Sequence, residues 1–216
     1  WLDDVPAIIY ISQLKKKYKI KKTKNIINPV IGEFDDPYNQ RQGPVELNLS
    51  TQGNTIIYGN AESGKETLLK TIIYDIMTSY TAEEVQMYIL DFGSEALKIF
   101  KDSPLVGDVV LASDTEKIDR LFEMLQKEIR ERIEILSDYN GDYNLYINTS
   151  KKPMPMLVVF INNYETFMEN YEAKYEELFL TLTREGLKCG IVFIVTASAY
   201  NSVRYRLSHN FMKRIA

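Results

Sequence analysis

The stretch Ile56-Ile57-Tyr58-Gly59-Asn60-Ala61-Glu62-Ser63-Gly64-Lys65-Glu66-Thr67-Leu68-Leu69 limits what this chain can be more than any other. A short apolar run of β-type residues enters a loop with glycine at both ends. Apolar residues at helical spacing follow, at Leu68, Leu69, Ile72, Ile73 and Ile76. Gly59-x-x-x-x-Gly64-Lys65 has the spacing of a phosphate-binding P-loop. Glycines let the backbone curl so that successive N–H groups face one concavity, and the helix dipole and the lysine add positive potential. The candidate nucleotide-binding residues are Gly59, Asn60, Ala61, Glu62, Ser63, Gly64, Lys65, Glu66 and Thr67. One position departs from the pattern. Glu66 stands where a Ser or Thr hydroxyl would ligate Mg²⁺. A carboxylate about 4 Å from a phosphate charge costs on the order of 4 kcal/mol at an effective dielectric of about 20. Thr67 rotating inward, or Glu66 ligating the metal itself, would be the two escapes.

The segments around this loop alternate between strand and helix. Residues 85–90, 109–111, 156–161 and 190–195 read as short buried strands, and 156–161 is the best candidate for a central parallel strand. Residues 67–79, about 115–138 and about 165–187 read as helices, with Ser113 and Glu116 forming a capping box for the second. That helix is expected to bury Leu121, Phe122, Leu125, Ile129, Ile133 and Leu136 and to present a solvated Lys/Glu face. Residues 45–49 alternate like a half-buried strand, and Gly53-Asn54 would turn them into a hairpin with 55–58. Residues 202–209 look helical, and 213–216 look like the start of a strand. The pattern predicts an α/β fold with a mainly parallel sheet flanked by helices. Residues 1–44 are expected to form an N-terminal extension packed on a core at 45–216. In that extension the stretch from Trp1 to Pro6 reads as an extended segment. Lys15 to Lys24 read as a solvated basic face, with a charged contact surface as the alternative.

Composition narrows the function. A formal net charge of −4 on 216 residues gives no electrostatic case for nucleic-acid binding. One cysteine, Cys189, and one histidine, His209, leave no disulfide and no zinc cluster. No apolar run approaches a membrane span, so the domain is expected to be soluble.

A hydrolysing P-loop enzyme needs acidic residues at the end of a nearby strand, one for Mg²⁺ and one to polarise water. The matching positions hold Asn162 and Asn163, neither of which carries charge or accepts a proton from water. Loss of a general base alone costs roughly 10²–10⁴ in rate. Glu165 is expected to point elsewhere. Asp91-Phe92-Gly93 lacks the rest of a kinase signature, so Asp91 is expected to end a strand and line the cleft. Arg184 reads as a surface ion-pair residue or a finger for a neighbour's nucleotide, and Ser198 as a polar sensor or a helix cap. Cys189 and His209 read as structural.

These motifs together resemble an FtsK/SpoIIIE-type ATPase domain: residues 59–67, Leu90-Asp91-Phe92-Gly93, 156–165, Arg184-Glu185-Gly186, and 190–198 with Val203-Arg204-Tyr205-Arg206-Leu207. More narrowly, Ile31-Gly32-Glu33-Phe34-Asp35-Asp36-Pro37 and the tail through Lys213-Arg214-Ile215 are similar to the second of the tandem ATPase domains in the EssC/EccC component of type VII secretion systems. The resemblance implies a RecA-like core and a membrane-anchored parent at the cytoplasmic face, of which this chain is one module. It also implies neighbouring ATPase domains in the same chain, a homo-hexamer, and small WXG-type secreted proteins as partners. ATP is the ligand implied, with Mg²⁺ in doubt. Glu66, Asn162 and Asn163 depart from the active pattern, so the expectation is a degenerate, hydrolysis-deficient ATPase module with a structural, regulatory or substrate-recognition role. The alternatives are an active translocation motor, a DNA translocase, and a pure protein-interaction module.

Overall fold

A computed structural model describes residues 6–216; the expected extended segment at the start of the chain lies almost wholly outside them. The described chain begins with helix α1 (Ile11–Lys17) and an antiparallel pair, β1 (Val30–Asp36) and β2 (Arg41–Glu46). A helical turn α2 (Leu49–Gln52) leads into β3 (Thr55–Tyr58), followed by α3 (Lys65–Ser79) and β4 (Val85–Asp91). Then come β5 (Val106–Leu111), α4 (Thr115–Leu136), α5 (Tyr143–Thr149), β6 (Met156–Asn162) and α6 (Tyr164–Glu185). β7 (Ile191–Ala197), α7 (Tyr205–Ser208) and β8 (Lys213–Ile215) close it.

Six strands form one sheet in the order β5-β4-β6-β7-β3-β8, every pairing parallel. All seven residues of β6 and of β7 are buried, as runs rich in Val, Ile and Phe must be when helices cover both faces of a sheet. Successive strands from β3 to β5 step one way along the sheet, and those from β5 to β8 step back. Right-handed crossovers therefore put α3 on one face and α4, α6 and α7 on the other. The observed contacts agree: α4 packs on α6, α6 on α7, and α3 against β1. The direction changes between β3 and β7, so a crevice opens beyond their carboxyl ends. Among the described residues no helix is long and apolar enough to cross a membrane.

The structure departs from several local expectations. The predicted hairpin does not form: β2 pairs with β1, and β3 is already flanked by β7 and β8. The alternation at 45–49 marks a strand only at Val45 and Glu46, which end β2; Leu47 and Leu49 are buried beyond it, and Leu49 lies in α2, where Asn48 Oδ1 accepts from Thr51 N. The predicted capping box is also absent. Asp114 is the N-cap of α4, and its Oδ2 accepts from Leu111 N instead of capping the helix. Of residues 202–209 only the last part is α-helix: a 3₁₀ turn at Tyr200–Ser202 precedes the short α7, which begins at Tyr205. The basic N-terminal segment is mostly exposed, as expected, but some of its lysines are paired. Lys15 pairs with the buried Asp75 of α3, Lys17 with Glu33, and Lys22 with Glu84, while Val30 N donates to Asp75 Oδ2 at 2.8 Å. These bonds seat α1 and β1 on α3.

The charged face of α4 is likewise not all solvated. Ile133 is 52% exposed, whereas its neighbour Arg132 is 2% exposed. Arg132 Nη1 donates to Cys189 O (2.8 Å) and Gly190 O (3.3 Å), and Nη2 to Pro155 O (2.8 Å). Its Nε pairs with Glu128 at 2.8 Å. One guanidinium thus caps the carbonyls that precede β6 and β7 and ties both central strands to α4. Arg132→Met keeps the aliphatic bulk but leaves those buried acceptors without a donor. It is expected to lower unfolding stability by about 3 kcal/mol, read from urea denaturation. An unchanged midpoint would show that the carbonyls find other donors.

Candidate phosphate-binding site

The loop that follows β3 takes the shape its glycines permit. Gly64, the N-cap of α3, has φ 92°, and Glu62 also has positive φ, at 62°. A Cβ at Gly59 would lie 2.2 Å from Ser63 Oγ, so only glycine fits where the loop closes on itself. Lys65 folds back over the loop, its Nζ donating to the carbonyls of Gly59 and of Asn60 (3.0 Å). The loop borders a cleft of about 640 Å³, a volume suited to a small-molecule ligand. Residues 60–67, Gly93, Ser94, Asn162, Asn163, Glu165 and 196–198 line it.

Electrostatically the cleft is mixed. Lys65 is its one basic lining residue among those described, and Glu62, Glu66 and Glu165 are acidic. Glu66 is drawn to the rim: Oε1 pairs with Lys70 at 2.8 Å, and Oε2 accepts from Ser94 Oγ. The Lys70 bond first, and the Ser94 bond second, hold its carboxyl below the ordinary carboxylate range. Ser94, which the sequence reading did not single out, becomes part of the site because it is on the loop beyond β4.

Asn162 and Asn163 are committed to the framework. Asn162, 6% exposed, donates from Nδ2 to Asp91 Oδ1 (2.9 Å) and accepts at Oδ1 from Thr196 Oγ1 (3.0 Å). Thr196 Oγ1 in turn accepts from Asn163 N (2.8 Å). Asn163, at φ 71°, caps α6 by accepting from Thr166 N at 3.2 Å. Asp91 does not line the cleft as expected. At 1% exposure it lies below it, with Oδ1 accepting from Gly93 N and Asn162 Nδ2 and Oδ2 from Leu97 N. It faces inward because the last residue of a central strand is still covered by the loop above it.

Glu165 corrects another expectation. Standing in the first turn of α6, it faces the cleft, and its Oε1 accepts from both N and Oγ of Ser198 at 2.6 Å each. Burial works to raise its carboxyl, but bonds from Ser198 and Ser202 outweigh this and leave it lowered. Ser198 is therefore a cleft residue at the end of β7 and not a helix cap. Arg184 lies at the far end of α6, about 30 Å along the helix from the cleft, where it pairs with Glu185 at 2.8 Å. Cys189 is buried, and His209 stacks edge-on against Tyr205.

No metal-binding cluster is present among the described residues. The oxygen donors do not fit a Mg²⁺ site, since Glu66 is held by Lys70 and Ser94 and Asn162 is a neutral amide bonded on both sides. Asn162→Asp would restore an acidic residue but would set an acceptor against Asp91 in place of a donor. It is expected to destabilise the chain by about 3 kcal/mol without conferring ATP turnover; a variant as stable as the parent would refute this. Glu165→Gln tests the other carboxylate. A depressed folded value contributes stability above the ordinary 4.5 and loses it as pH falls through the folded value. The stability difference between parent and variant should therefore be present at pH 7 and close in acid, read from denaturation midpoints against pH.

The comparisons with known proteins agree with this architecture. The chain is 28% identical over its whole length to the type VII secretion system protein EssC of Staphylococcus aureus, of which it spans 15%. The structure of EssC ATPases 2 and 3 from Geobacillus thermodenitrificans superposes with a TM-score of 0.78 at 27% identity, covering 84% of this chain and 35% of that one. The cytoplasmic domain of the Thermomonospora curvata type VII secretion ATPase EccC gives 0.80 at 26% identity, covering 88% and 23%. These neighbours share the P-loop NTPase fold. The FtsK/SpoIIIE family pattern matches residues 13–207, and the chain belongs to that family.

Proposed function

We propose that this chain is a hydrolysis-deficient ATPase module of a type VII protein secretion motor. The carrying observation is the bonding of Asn162 and Asn163. The two positions where a hydrolytic site needs carboxylates hold amides, and their side chains already bond Asp91, Thr196 and the start of α6. Without a base, attack of water on a terminal phosphate loses roughly 10²–10⁴ in rate. The three cleft carboxylates oppose a triphosphate, so Lys65 and the loop amides would hold ATP weakly and with little help from Mg²⁺. The relatives' identity as secretion-system proteins supports placing the module in such a motor. There it would couple neighbouring ATPase domains of one chain within a homo-hexamer at the cytoplasmic face of the membrane, held there by its parent protein. It would take part in recognising small WXG-type secreted proteins. Residues 1–44 would act as the extension that seats this core, at 45–216, in the parent protein. No nucleic acid is involved in this reading.

A second reading, an active motor, has one observation in its favour: Glu165 faces the cleft and could orient water in place of Asn163. Calorimetric titration of ATP, with and without Mg²⁺, into this chain and into Lys65→Ala addresses both. Weak binding lost in Lys65→Ala, with no turnover above that variant, is the expected result. Turnover that Lys65→Ala and Glu165→Gln each abolish would establish the active motor instead.

A further inference from the structure

The loop after β3 has two unlike flanks, because β3 lies between β7 and β8. On the β7 side the wall is polar: Thr196, Ser198, Asn162, Asn163 and Glu165. Any terminal phosphate held by the loop at 59–65 faces that wall. On the β8 side the loop borders an aromatic cluster that the reading above leaves unused. Tyr58 is the last residue of β3, directly before Gly59, and Tyr200 comes two residues after Ser198. Their rings lie 5.7 Å apart, inclined at 47°. Arg214 of β8, registered opposite Ile56 of β3, sets its guanidinium 5.2 Å from the Tyr200 ring centre. Its Nη1 donates to Tyr200 Oη at 2.9 Å, while Nη2 donates to Ser208 O at 3.1 Å.

Tyr200 is thus fixed by a neighbouring ring, a cation and a hydrogen bond, and is still 58% exposed. A large ring held in one orientation and more than half exposed is a stacking platform whose ordering cost is already met. Beside it the Tyr58 hydroxyl is buried with no hydrogen-bond partner among the described residues, a second polar feature of this flank that the fold does not account for.

We propose that Tyr200, braced by Tyr58 and Arg214, is a nucleobase subsite that stacks the base of a nucleoside triphosphate whose phosphates rest on residues 59–65. This rests on the reading of that loop as a nucleotide-holding one, and it adds where the base lies and what reads it. Stacking uses the π-face that every base presents. The subsite therefore takes nucleotides without selecting adenine over guanine. Arg214 adds positive charge beside the Tyr200 ring.

The test is calorimetric titration of ATP, GTP and inorganic triphosphate into this chain and into Tyr200→Ala, Tyr200→Phe and Lys65→Ala. ATP and GTP are expected to bind with similar affinity and more tightly than triphosphate. Tyr200→Ala should weaken both nucleotides about tenfold and leave triphosphate unchanged, which also shows that the variant is folded. Tyr200→Phe should keep the parent's affinity. If Tyr200→Ala binds ATP as the parent does while Lys65→Ala does not, the base subsite is refuted and the nucleotide-holding loop stands. If the parent binds neither nucleotide, both readings fall.

Discussion

A buried carboxylate at the carboxyl edge of the sheet sets the terms for everything around it. Asp91 ends β4 almost out of reach of solvent, where a charged or polar group is tolerable only with donors around it. Three supply it: two backbone amides of the following loop and the side-chain amide of Asn162. Through Asn162 the network crosses to Thr196 on β7, and through Thr196 to the backbone that starts α6. Three adjacent strands are thereby bonded side chain to side chain on the floor of the cleft, and the start of α6 is tied to them through the Asn163 backbone amide. Such networks are stabilising when every member is satisfied and costly when one member is changed.

This network also explains the chemistry the cleft lacks. A carboxylate at position 162 would face Asp91, so structural need and catalytic need compete for one position, and here the structural bond occupies it. Glu66 follows the same logic on a smaller scale. Its charge is taken up by Lys70 along the helix and by Ser94 across the cleft, so it braces the rim and is not free to meet a metal. The opposite edge of the sheet is held by a different device, the Arg132 guanidinium beneath β6 and β7. The two central strands are thus fixed at both ends by polar side-chain contacts, and between them by the parallel backbone ladder and burial.

Much of this was legible in the residues. The glycine spacing at 59–64 dictated a curled loop because only glycine accepts φ 92° at position 64 without strain. The uninterrupted apolar run at 156–161 dictated a strand covered on both faces. What escaped had a common cause: sequence periodicity reports which residues are buried, not what they meet. Leu47 and Leu49 are buried as their alternation required, yet their segment joins no hairpin with β3. Arg132 looked solvated because a charged residue beside an apolar stripe usually is, and nothing local announces three carbonyls waiting 23 to 58 residues away.

The sequence by itself determined the strand–loop–helix at 55–79, the alternation that makes the fold α/β, and the identity of the amides at 162 and 163, since these depend on local backbone chemistry and composition. Only the tertiary structure decided that Asp91 lies under the cleft, that Glu165 and Ser94 enter it, that Arg184 stands far from it, and that Tyr58, Tyr200 and Arg214 meet. Those facts depend on strand order. β7 inserted beside β3, and β8 beyond it, bring together residues that are over a hundred positions apart in the chain, and no periodicity within a segment encodes that order.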